Sequence, residues 1–395
     1  MANTSTRVRI MMVALTLGSQ GISGCPFRGT GNPDRATQRQ EAADQEAALR
    51  EAVARAPNNP EVNLALAKVL AREMKTQEAV HYFDQTRILD PARQKEVEKE
   101  RLRHVTRYQD EAQGFLAVSD LDTAERLLGQ AEIMLPYHGR TFFLRGQIFQ
   151  RREGWTGAVP LFRMASEADP GTKEYREILA RALFLSGGEH YQAKEYALAW
   201  RALTEVRHLQ PGPDVDYLGG LVAYAWAQQS ETDRAEHLHR ARAAFEAVLD
   251  QDPDHEDAAF NLGAVYLSAS QFKASIKIYR EMVSRNPRDG RLYLALARAH
   301  GLSGEDETAL ALDAVGRALR TGDPVGNPKI WAHRGRDRFP DTDLSAALEE
   351  YGPPESVYTY SLPGGSLVEI WCYWKEDLVL AYREGTRIGA PIALP

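Results

Sequence analysis

The pattern of small and large apolar residues in the middle of the chain repeats about every thirty-four residues. Seven repeats follow one another, and they begin near Pro60, Val105, Gly139, Ala180, Gly212, Glu256 and Gly290. The eighth position of each repeat is small: Ala67, Ala112, Gly146, Gly187, Gly219, Gly263 and Ala297. The twentieth is also small: Ala79, Ala124, Ala158, Ala199, Ala241, Ser275 and Ala309. Because two helices approach closely only where side chains are minimal, each repeat is predicted to be a pair of packed helices.

A large apolar residue is expected to fill the space beside that crossing in six of the seven repeats. The twenty-fourth position holds Phe83, Leu128, Phe162, Leu203, Phe245 and Tyr279, whereas the last repeat has Asp313. A proline ends the second helix in the same six repeats: Pro91, Pro136, Pro170, Pro211, Pro253 and Pro287. Proline cannot continue a helix because it has no N–H to donate. The last repeat lacks both signals, which predicts that the stacking stops there and that a cap or a new domain begins.

Some segments depart from the regular spacing. Residues 45–59 are expected to form an N-terminal capping helix, and residues 94–104, rich in Lys, Glu and Arg, to lengthen a helix. Residues 173–179 are expected to extend the first helix of the fourth repeat, and residues 228–240 to project from the fifth as a longer hairpin. His237 and His239 lie in that inserted loop. On one helix they would point about 200° apart, so they are predicted to be solvated and not to share a metal.

The repeat resembles a known family. The sixth repeat reads Asn261-Leu262-Gly263, followed by Tyr266, Phe272, Ser275, Tyr279 and Pro287. The third repeats it with Phe142, Gly146, Phe149, Ala158, Phe162 and Pro170. This is similar to the tetratricopeptide repeat (TPR). The resemblance implies a mostly α fold: a TPR α–α superhelix, which is a solenoid of antiparallel helix pairs, over residues 60–323. Its units are expected near residues 60–93, 105–138, 139–172, 180–211, 212–255, 256–289 and 290–323.

The resemblance also implies a concave groove, lined by the first helix of each pair. The fifth position of the repeats, which such proteins usually turn toward the groove, holds Leu64, Gln109, Phe143, Phe184, Asp216, Phe260 and Leu294. Four arginines lie beside them: Arg140, Arg181, Arg291 and Arg298. An apolar row edged with guanidinium groups suits a partner segment that carries acidic residues. The alternative is that the apolar residues pack on the adjacent repeat or are covered by the chain's own tail.

The first residues combine a basic start, with Arg7 and Arg9, and a short apolar run over residues 10–17. This run is too short to span a bilayer and is typical of a signal peptide. It ends in Ile22-Ser23-Gly24-Cys25, which resembles the lipobox of bacterial lipoproteins. The resemblance implies removal of residues 1–24, a lipid on Cys25, and a place at the outer membrane facing the periplasm, since Pro26 is not aspartate. The alternative is a signal peptide cut near Gly24, with Cys25 incidental. Residues 25–44 are polar and are predicted to be a solvated tether.

Residues 324–395 lose the helical period. Residues 341–351 predict one short helix, and residues 356–361, 367–374 and 378–382 alternate aromatic and β-branched residues around tight turns. Together they predict a small α+β module with a three-stranded antiparallel meander. The stretch Tyr351-Gly352-Pro353-Pro354-Glu355, with Glu369-Ile370-Trp371-Cys372-Tyr373 and Gly385, resembles modules of SmpA-type and GWxTD-type envelope proteins. The alternative is a generic small sheet with core aromatics.

Composition adds exclusions. The chain has 395 residues and a net charge of −7, which argues against a nucleic-acid partner. No phosphate-binding loop, dinucleotide fingerprint, nucleophile elbow or zinc-protease motif is present, so no catalytic residue, cofactor or metal is predicted. The sequence therefore predicts a non-catalytic scaffold that binds protein partners, with the oligomeric state unknown. Two alternatives stay open: an activity of the C-terminal module, with Glu355, Glu369 and Cys372 as its polar candidates, or a self-associating spacer.

Overall fold

A computed structural model describes residues 33–393 of the protein, and the predicted signal peptide and Cys25 lie outside them. The chain divides into two compact units, one up to Glu100 and one from Arg101 to Pro395, and each is described by itself. The helices are α1 (Pro33–Arg55), α2 (Pro60–Arg72), α3 (Thr76–Leu89), α4 (Gln94–Ala117), α5 (Leu121–Met134), α6 (Gly139–Ala168), α7 (Lys173–Gln192), α8 (Tyr196–Leu209), α9 (Pro213–Gln229), α10 (Arg234–Gln251), α11 (Glu256–Ser268), α12 (Phe272–Arg285), α13 (Gly290–Ser303), α14 (Asp306–Thr321), α15 (Pro328–Arg338) and α16 (Asp343–Tyr351). The strands are β1 (Asp323–Pro324), β2 (Ser356–Ser361), β3 (Leu367–Tyr373), β4 (Leu378–Arg383), β5 (Thr386–Arg387) and β6 (Ile392–Ala393). Within residues 33–393, no helix is long and apolar enough to cross a membrane.

The first compact unit contains one complete helix pair, α2 and α3. Ala67, Ala79 and Phe83 are fully buried between them, as their places in the repeat predict. The helix in front, α1, is held by Glu46, whose carboxylate accepts hydrogen bonds from Lys75 and Arg50. The bond from Lys75 is the main reason that the pKa of Glu46 is lowered to about 2. A charged contact between Glu46 and Lys75 therefore joins α1 to the turn before α3.

The predicted tether differs from the structure over its described part. The helix α1 begins at Pro33, twelve residues before the predicted capping helix, and it ends at Arg55. The extra turns contain alanine, glutamine, glutamate and arginine, which favour helices. The sequence favours a tether because this segment has no apolar stripe, but a helix does not need one where intrinsic propensity is high.

In the second compact unit, consecutive helices pack antiparallel in a TPR-like superhelical arrangement. The pairs are the two halves of α6, α7 with α8, α9 with α10, α11 with α12, and α13 with α14. The crossings are as tight as predicted: a Cβ added to Gly146 would lie 2.6 Å from Phe162, and one on Gly263 would lie 2.6 Å from Tyr279. Real side chains do not approach so closely, so these glycines are required for the packing.

The fifth repeat is shifted by one residue from the predicted register. The glycine that faces Phe245 is Gly220, where a Cβ would lie 2.6 Å from the ring, whereas Gly219 faces Arg207 and Trp200 at 3.4 and 3.8 Å. Its first helix accordingly begins at Pro213 and not at Gly212. The fifth position of this repeat is therefore Tyr217 and not Asp216. Two adjacent glycines satisfy a small-residue rule equally well, and only the packing distinguishes them.

The insertion in the fifth repeat is helical. It lengthens α9 to 17 residues and α10 to 18, against 13 and 14 for α11 and α12. The prediction that His237 is solvated is wrong, because His237 is buried with 3% exposure and stacks on Trp226 at 3.9 Å between ring centroids. His239 is exposed, as predicted. Residues 94–104 and 173–179 are helical as predicted, because α4 begins at Gln94 and α7 at Lys173.

A side chain from the next repeat caps the second half of α6. The helix bends at Gly154, which has a φ of +81°. Directly after the bend, Glu189 of α7 accepts hydrogen bonds from the backbone N–H groups of Trp155 and Thr156, each at 3.0 Å, and from the Thr156 hydroxyl at 2.7 Å. A carboxylate at this place satisfies N–H groups that have no partner inside the helix.

The C-terminal sheet has a three-stranded antiparallel meander at its centre, as predicted. The strand order is β1-β2-β3-β4-β5, with β6 also paired to β4. The three short strands β1, β5 and β6 extend the predicted meander at its edges. The prediction of one helix is wrong, since α15 precedes α16. The helix α15 buries only Ala332 and Gly335, and five of its other residues are charged, so its sequence lacks a wide apolar stripe.

Both faces of the sheet are covered by helices. On one face, Val368, Ile370 and Cys372 of β3 share a core with α13 and α14. On the other face, Trp371 and Tyr373 pack against α15 and α16. The sheet therefore packs on one side of the last repeat, and its apolar side chains continue the core of that helix pair.

Candidate protein-binding groove

The predicted groove begins with the aromatic residues at the fifth position, and these residues are half-buried in contacts between helices. Phe143 lies 6.0 Å from Phe162 of its own repeat and 5.3 Å from Tyr175 of the next, between ring centroids. Phe260 lies 5.5 Å from Tyr279. Both rings therefore pack between the two helices of their own pair. The contact of Phe143 with Tyr175 also reaches the adjacent repeat, which is the alternative stated from the sequence.

The other apolar residues of the predicted row are also engaged in packing. Phe184 contacts the cores on both sides of the fourth repeat. Leu294 lies under Gly316, where a Cβ would come within 2.7 Å of its Cγ. Leu64 belongs to the first compact unit, where it is buried with 4% exposure. Whether any of these residues contacts a partner stays a prediction.

The four arginines of the predicted groove keep their guanidinium groups closer to solvent. Arg140 pairs with Asp110 at 2.7 Å, and Arg291 pairs with Asp289 at 2.7 Å. Arg181 lies over the Trp155 ring at 5.5 Å, and Arg298 is exposed. Guanidinium groups at the surface can bind carboxylates through two parallel hydrogen bonds.

Sequence reasoning missed two tyrosines on the first helix of the fifth repeat. Tyr217 lies 5.9 Å from the Phe245 ring, and Asn261 of the next first helix donates a hydrogen bond to its hydroxyl at 3.3 Å. Tyr224 is hydrogen-bonded to Ser268, with 3.1 Å between the hydroxyl oxygens. These polar contacts join the first helices α9 and α11. Aligning the second glycine of the Gly219-Gly220 pair with the repeat would have brought Tyr217 to the fifth position.

Of the polar candidates in the C-terminal module, Glu369 is the most enclosed. It is buried with 1% exposure, and its carboxylate accepts hydrogen bonds from the indoles of Trp331 at 2.7 Å and Trp371 at 3.3 Å. It also pairs with Arg338 at 2.9 Å. A carboxylate so fully occupied holds α15 against the sheet and has no free oxygen pointing to a substrate.

The other two candidates differ from Glu369 in their surroundings. Cys372 is fully buried, and burial raises the pKa of its thiol to about 12. A thiol of this kind is a small core residue, because the reactive form of cysteine is the thiolate. Glu355 is exposed at the surface and pairs with Lys375 at 3.6 Å. Within residues 33–393, no group of three or more His, Cys, Asp or Glu side chains could hold a metal ion.

Comparison with known proteins bears on the repeats. Residues 234–299 match the family model of the tetratricopeptide repeat. None of the curated proteins matches the chain. A TPR protein of Thermus thermophilus is similar with 16% identity over 53% of this chain and 99% of that chain, at a TM-score of 0.30. MamA of Desulfovibrio magneticus is similar with 18% identity over 43% of this chain and 88% of that chain, at a TM-score of 0.33. PilF of Pseudomonas aeruginosa is similar with 16% identity over 64% of this chain and 99% of that chain, at a TM-score of 0.29.

A TPR fold is typically a non-enzymatic scaffold for protein–protein interaction. The family match lies on α10 to α13, where the helix crossings have the small and aromatic residues of the repeat. The match and the stacked helix pairs together support a TPR-repeat protein.

Proposed function

We propose that the protein is a non-catalytic scaffold of the bacterial cell envelope, anchored by a lipid on Cys25, that binds acidic segments of partner proteins along its first helices. The observation that carries this proposal is the contrast between two sets of side chains on these helices. The aromatic residues are used in packing, whereas Arg140, Arg181, Arg291 and Arg298 hold their charges at the surface. Recognition therefore depends on the arginines more than on the apolar row.

The arginines suit a partner that supplies carboxylates. Arg140 and Arg291 already pair with exposed or half-buried aspartates of the chain, so a partner carboxylate would compete with Asp110 and Asp289. Arg181 stacks on Trp155, which keeps its hydrogen-bond donors free at the edge of the guanidinium plane. Asp110 is exposed, so the pair with Arg140 contributes little to stability and its exchange for a partner costs little.

Charge reversal at Arg140 and Arg181 tests the binding of partners. The variant Arg140→Glu/Arg181→Glu is compared with Arg201→Glu, which changes an exposed arginine on the second helix α8. Partners cross-linked to the unaltered chain in envelope fractions are identified by mass spectrometry. We expect their recovery to fall at least tenfold in the double variant and to stay within twofold in the control. Equal recovery from all three chains would refute the role of the arginines.

The proposed anchor is supported by the sequence of residues 1–25, which lie outside the described part of the chain. Lipid on a cysteine sulfur holds a protein to a membrane through the burial of its methylene groups, at about 0.8 kcal/mol each. Incorporation of labelled palmitate into the expressed protein tests it. We expect incorporation in the unaltered chain and none in Cys25→Ala. Label retained in Cys25→Ala, or absent from both, would contradict the anchor.

A further inference from the structure

The last helix pair has an open groove between α13 and α14, which we call the terminal groove. Its floor is apolar and is formed by Leu294 and Ala297 of α13 and by Ala309 and Leu310 of α14. Leu310 is 60% exposed. The groove continues toward the turn between β2 and β3, where Tyr360 and Leu362 line an adjoining cavity.

The preceding pair shows what covers the equivalent surface. Since α11 begins at Glu256 and α13 at Gly290, equivalent residues of the two pairs are 34 positions apart in the sequence. Leu294, Leu310 and Asp313 therefore correspond to Phe260, Ile276 and Tyr279. Those three residues of the preceding pair pack in one core with Leu292 and Leu296 of α13. The terminal groove is thus the place that the first helix of an eighth repeat would occupy.

The C-terminal sheet does not occupy this place. It packs on another side of α14, where Ala314, Val315 and Ala318 share its core. The stripe that lines the groove is formed by Asp306, Leu310, Asp313 and Arg317, at the spacing of one helix face. The sheet therefore ends the solenoid without closing the surface on which the next first helix would pack.

Cationic side chains outnumber carboxylates around the groove, with Arg298, Arg317 and Arg320 against Asp306 and Asp313. Asp313 and Tyr279 are equivalent, and the aspartate is neutralised by Arg317 at 2.6 Å. Arg298 and Arg320 also border the groove, and within residues 33–393 neither takes part in a salt bridge. A helix that lies between these two arginines gains from acidic residues along its edges. Its central stripe must be apolar to cover Leu294 and Leu310.

We infer that the terminal groove binds one amphipathic helix of a partner protein, with apolar residues at i, i+3 and i+4 and acidic residues on its flanks. The bound helix completes the solenoid as an eighth first helix. The terminal groove does not include Arg140 or Arg181, so the inference does not depend on the partner groove proposed above. Leu294 and Arg298 belong to both surfaces.

A pair of synthetic helices tests the inference on the full-length protein. Both are stapled copies of α13, residues 290–303, because that helix covers the equivalent surface. In the acidic peptide, Arg291 and Arg298 are replaced by glutamate, and in the basic peptide they are kept. Fluorescence anisotropy of the labelled peptides is recorded against the protein up to 1 mM. We expect saturable binding of the acidic peptide and at least tenfold weaker binding of the basic one.

Two variants locate the binding. Leu310→Asp is expected to weaken binding of the acidic peptide at least tenfold, and Arg320→Glu at least threefold. The matched control is Leu198→Asp, which changes a leucine of α8 that is 47% exposed, and it should bind as the unaltered chain does. Because Leu310 is exposed, its variant should keep the circular dichroism and the melting temperature of the unaltered protein.

Several results would overturn the inference. These are the absence of saturable binding, equal affinity for both peptides, or equal affinity of Leu310→Asp and the unaltered chain. If the protein alone forms a dimer and Leu310→Asp abolishes that dimer, the occupant of the terminal groove is a second copy of the chain and not a partner helix. The variant Arg140→Glu/Arg181→Glu should bind the acidic peptide normally. Its result therefore separates a failure of this inference from a failure of the proposed partner groove.

Discussion

The helices α12 and α14 occupy equivalent places in consecutive repeats, and their surfaces differ. The exposed stripe of α12 would be Ile276, Tyr279 and Val283, but α13 covers it. The same stripe of α14 has Leu310, Asp313 and Arg317, and no helix within residues 33–393 covers it. The comparison teaches that a helix pair forms with or without a neighbour on this side, whereas the composition of this one stripe differs between the covered and the uncovered helix.

The largest expected effect is on the free energy of unfolding, when the central residue of this stripe is truncated to alanine in each pair. Tyr279→Ala removes a buried ring beside Gly263 and should lower the free energy of unfolding by about 4 kcal/mol. Asp313→Ala, at the equivalent place, should change it by less than about 0.5 kcal/mol, because its carboxylate is half-exposed. Urea unfolding followed by circular dichroism measures both. Similar losses in the two variants would show that α14 is packed as α12 is.

The next effect sharpens the boundary between the last repeat and the sheet. Glu369→Gln removes a buried charge that pairs with the partly exposed Arg338, and it should lower stability by about 2 kcal/mol. Since β3 shares a core with α13 and α14, hydrogen exchange should become faster in those helices as well. The control is Glu384→Gln at an exposed turn. Faster exchange confined to α15 would indicate that the sheet and the last repeat unfold separately.

A smaller effect on stability is expected from a helix cap that an interior repeat obtains from a side chain of the next repeat. Glu189 caps the second half of α6, whereas Glu305, the N-cap residue of α14, makes no capping hydrogen bond with its side chain. Glu189→Ala should cost about 1 kcal/mol, and exposed Glu177→Ala on the same helix should cost much less. Thermal melts at pH 7 measure both. No difference between these variants would mean that the cap contributes nothing.

The pH dependence of the same cap has a definite sign. Burial raises the pKa of Glu189, but the hydrogen bonds from Thr156 and Trp155 outweigh it, so the pKa is lowered overall. The contribution of Glu189 is therefore complete above the pKa of the unfolded chain, about 4.3, and is lost as the pH falls through the folded value. Between pH 5 and pH 3, the melting temperature of Glu189→Ala should therefore fall less than that of the unaltered chain.

The smallest expected effect is in the fifth repeat, where the insertion buries a histidine. Burial lowers the pKa of His237, and within residues 33–393 neither ring nitrogen has a hydrogen-bond partner. Arg240 also disfavours its protonation, whereas Asp233 and Glu236 favour it less strongly. The unfolded chain then binds the proton more readily, so stability should fall as the pH drops below about 6.5.

The variant His237→Phe keeps a ring on Trp226 and removes the titrating group. We expect the difference in melting temperature between pH 7.5 and pH 5.5 to shrink in this variant. The matched control is His239→Phe, two residues away and exposed, which should keep the dependence of the unaltered chain. A dependence that is the same in all three proteins would contradict the burial of a neutral His237.

The sequence predicts the crossings of the helices well because the requirement is local and steric. Gly146 and Gly263 stand where a Cβ would enter a ring, and no other residue satisfies that distance. It predicts α15 and the start of α1 poorly, since neither has a clear apolar stripe. For the candidate site, the arginines lie near the surface, and their role in binding a partner stays a prediction. The fate of Phe143 and Phe260 could not be predicted, because an apolar residue suits a groove and a core equally well.

By itself, the sequence determined that helices pair every thirty-four residues or so, where the pairs cross, and that the pattern stops after the seventh. These features follow from side-chain size at fixed positions along one chain. Only the tertiary structure decided that Gly220 and not Gly219 meets Phe245, and that the aromatic fifth positions are used for packing. It also decided that the sheet packs on one side of α14 and leaves Leu310 open. Each of these depends on distances between residues far apart in the chain, and a pattern of residue types contains no such distances.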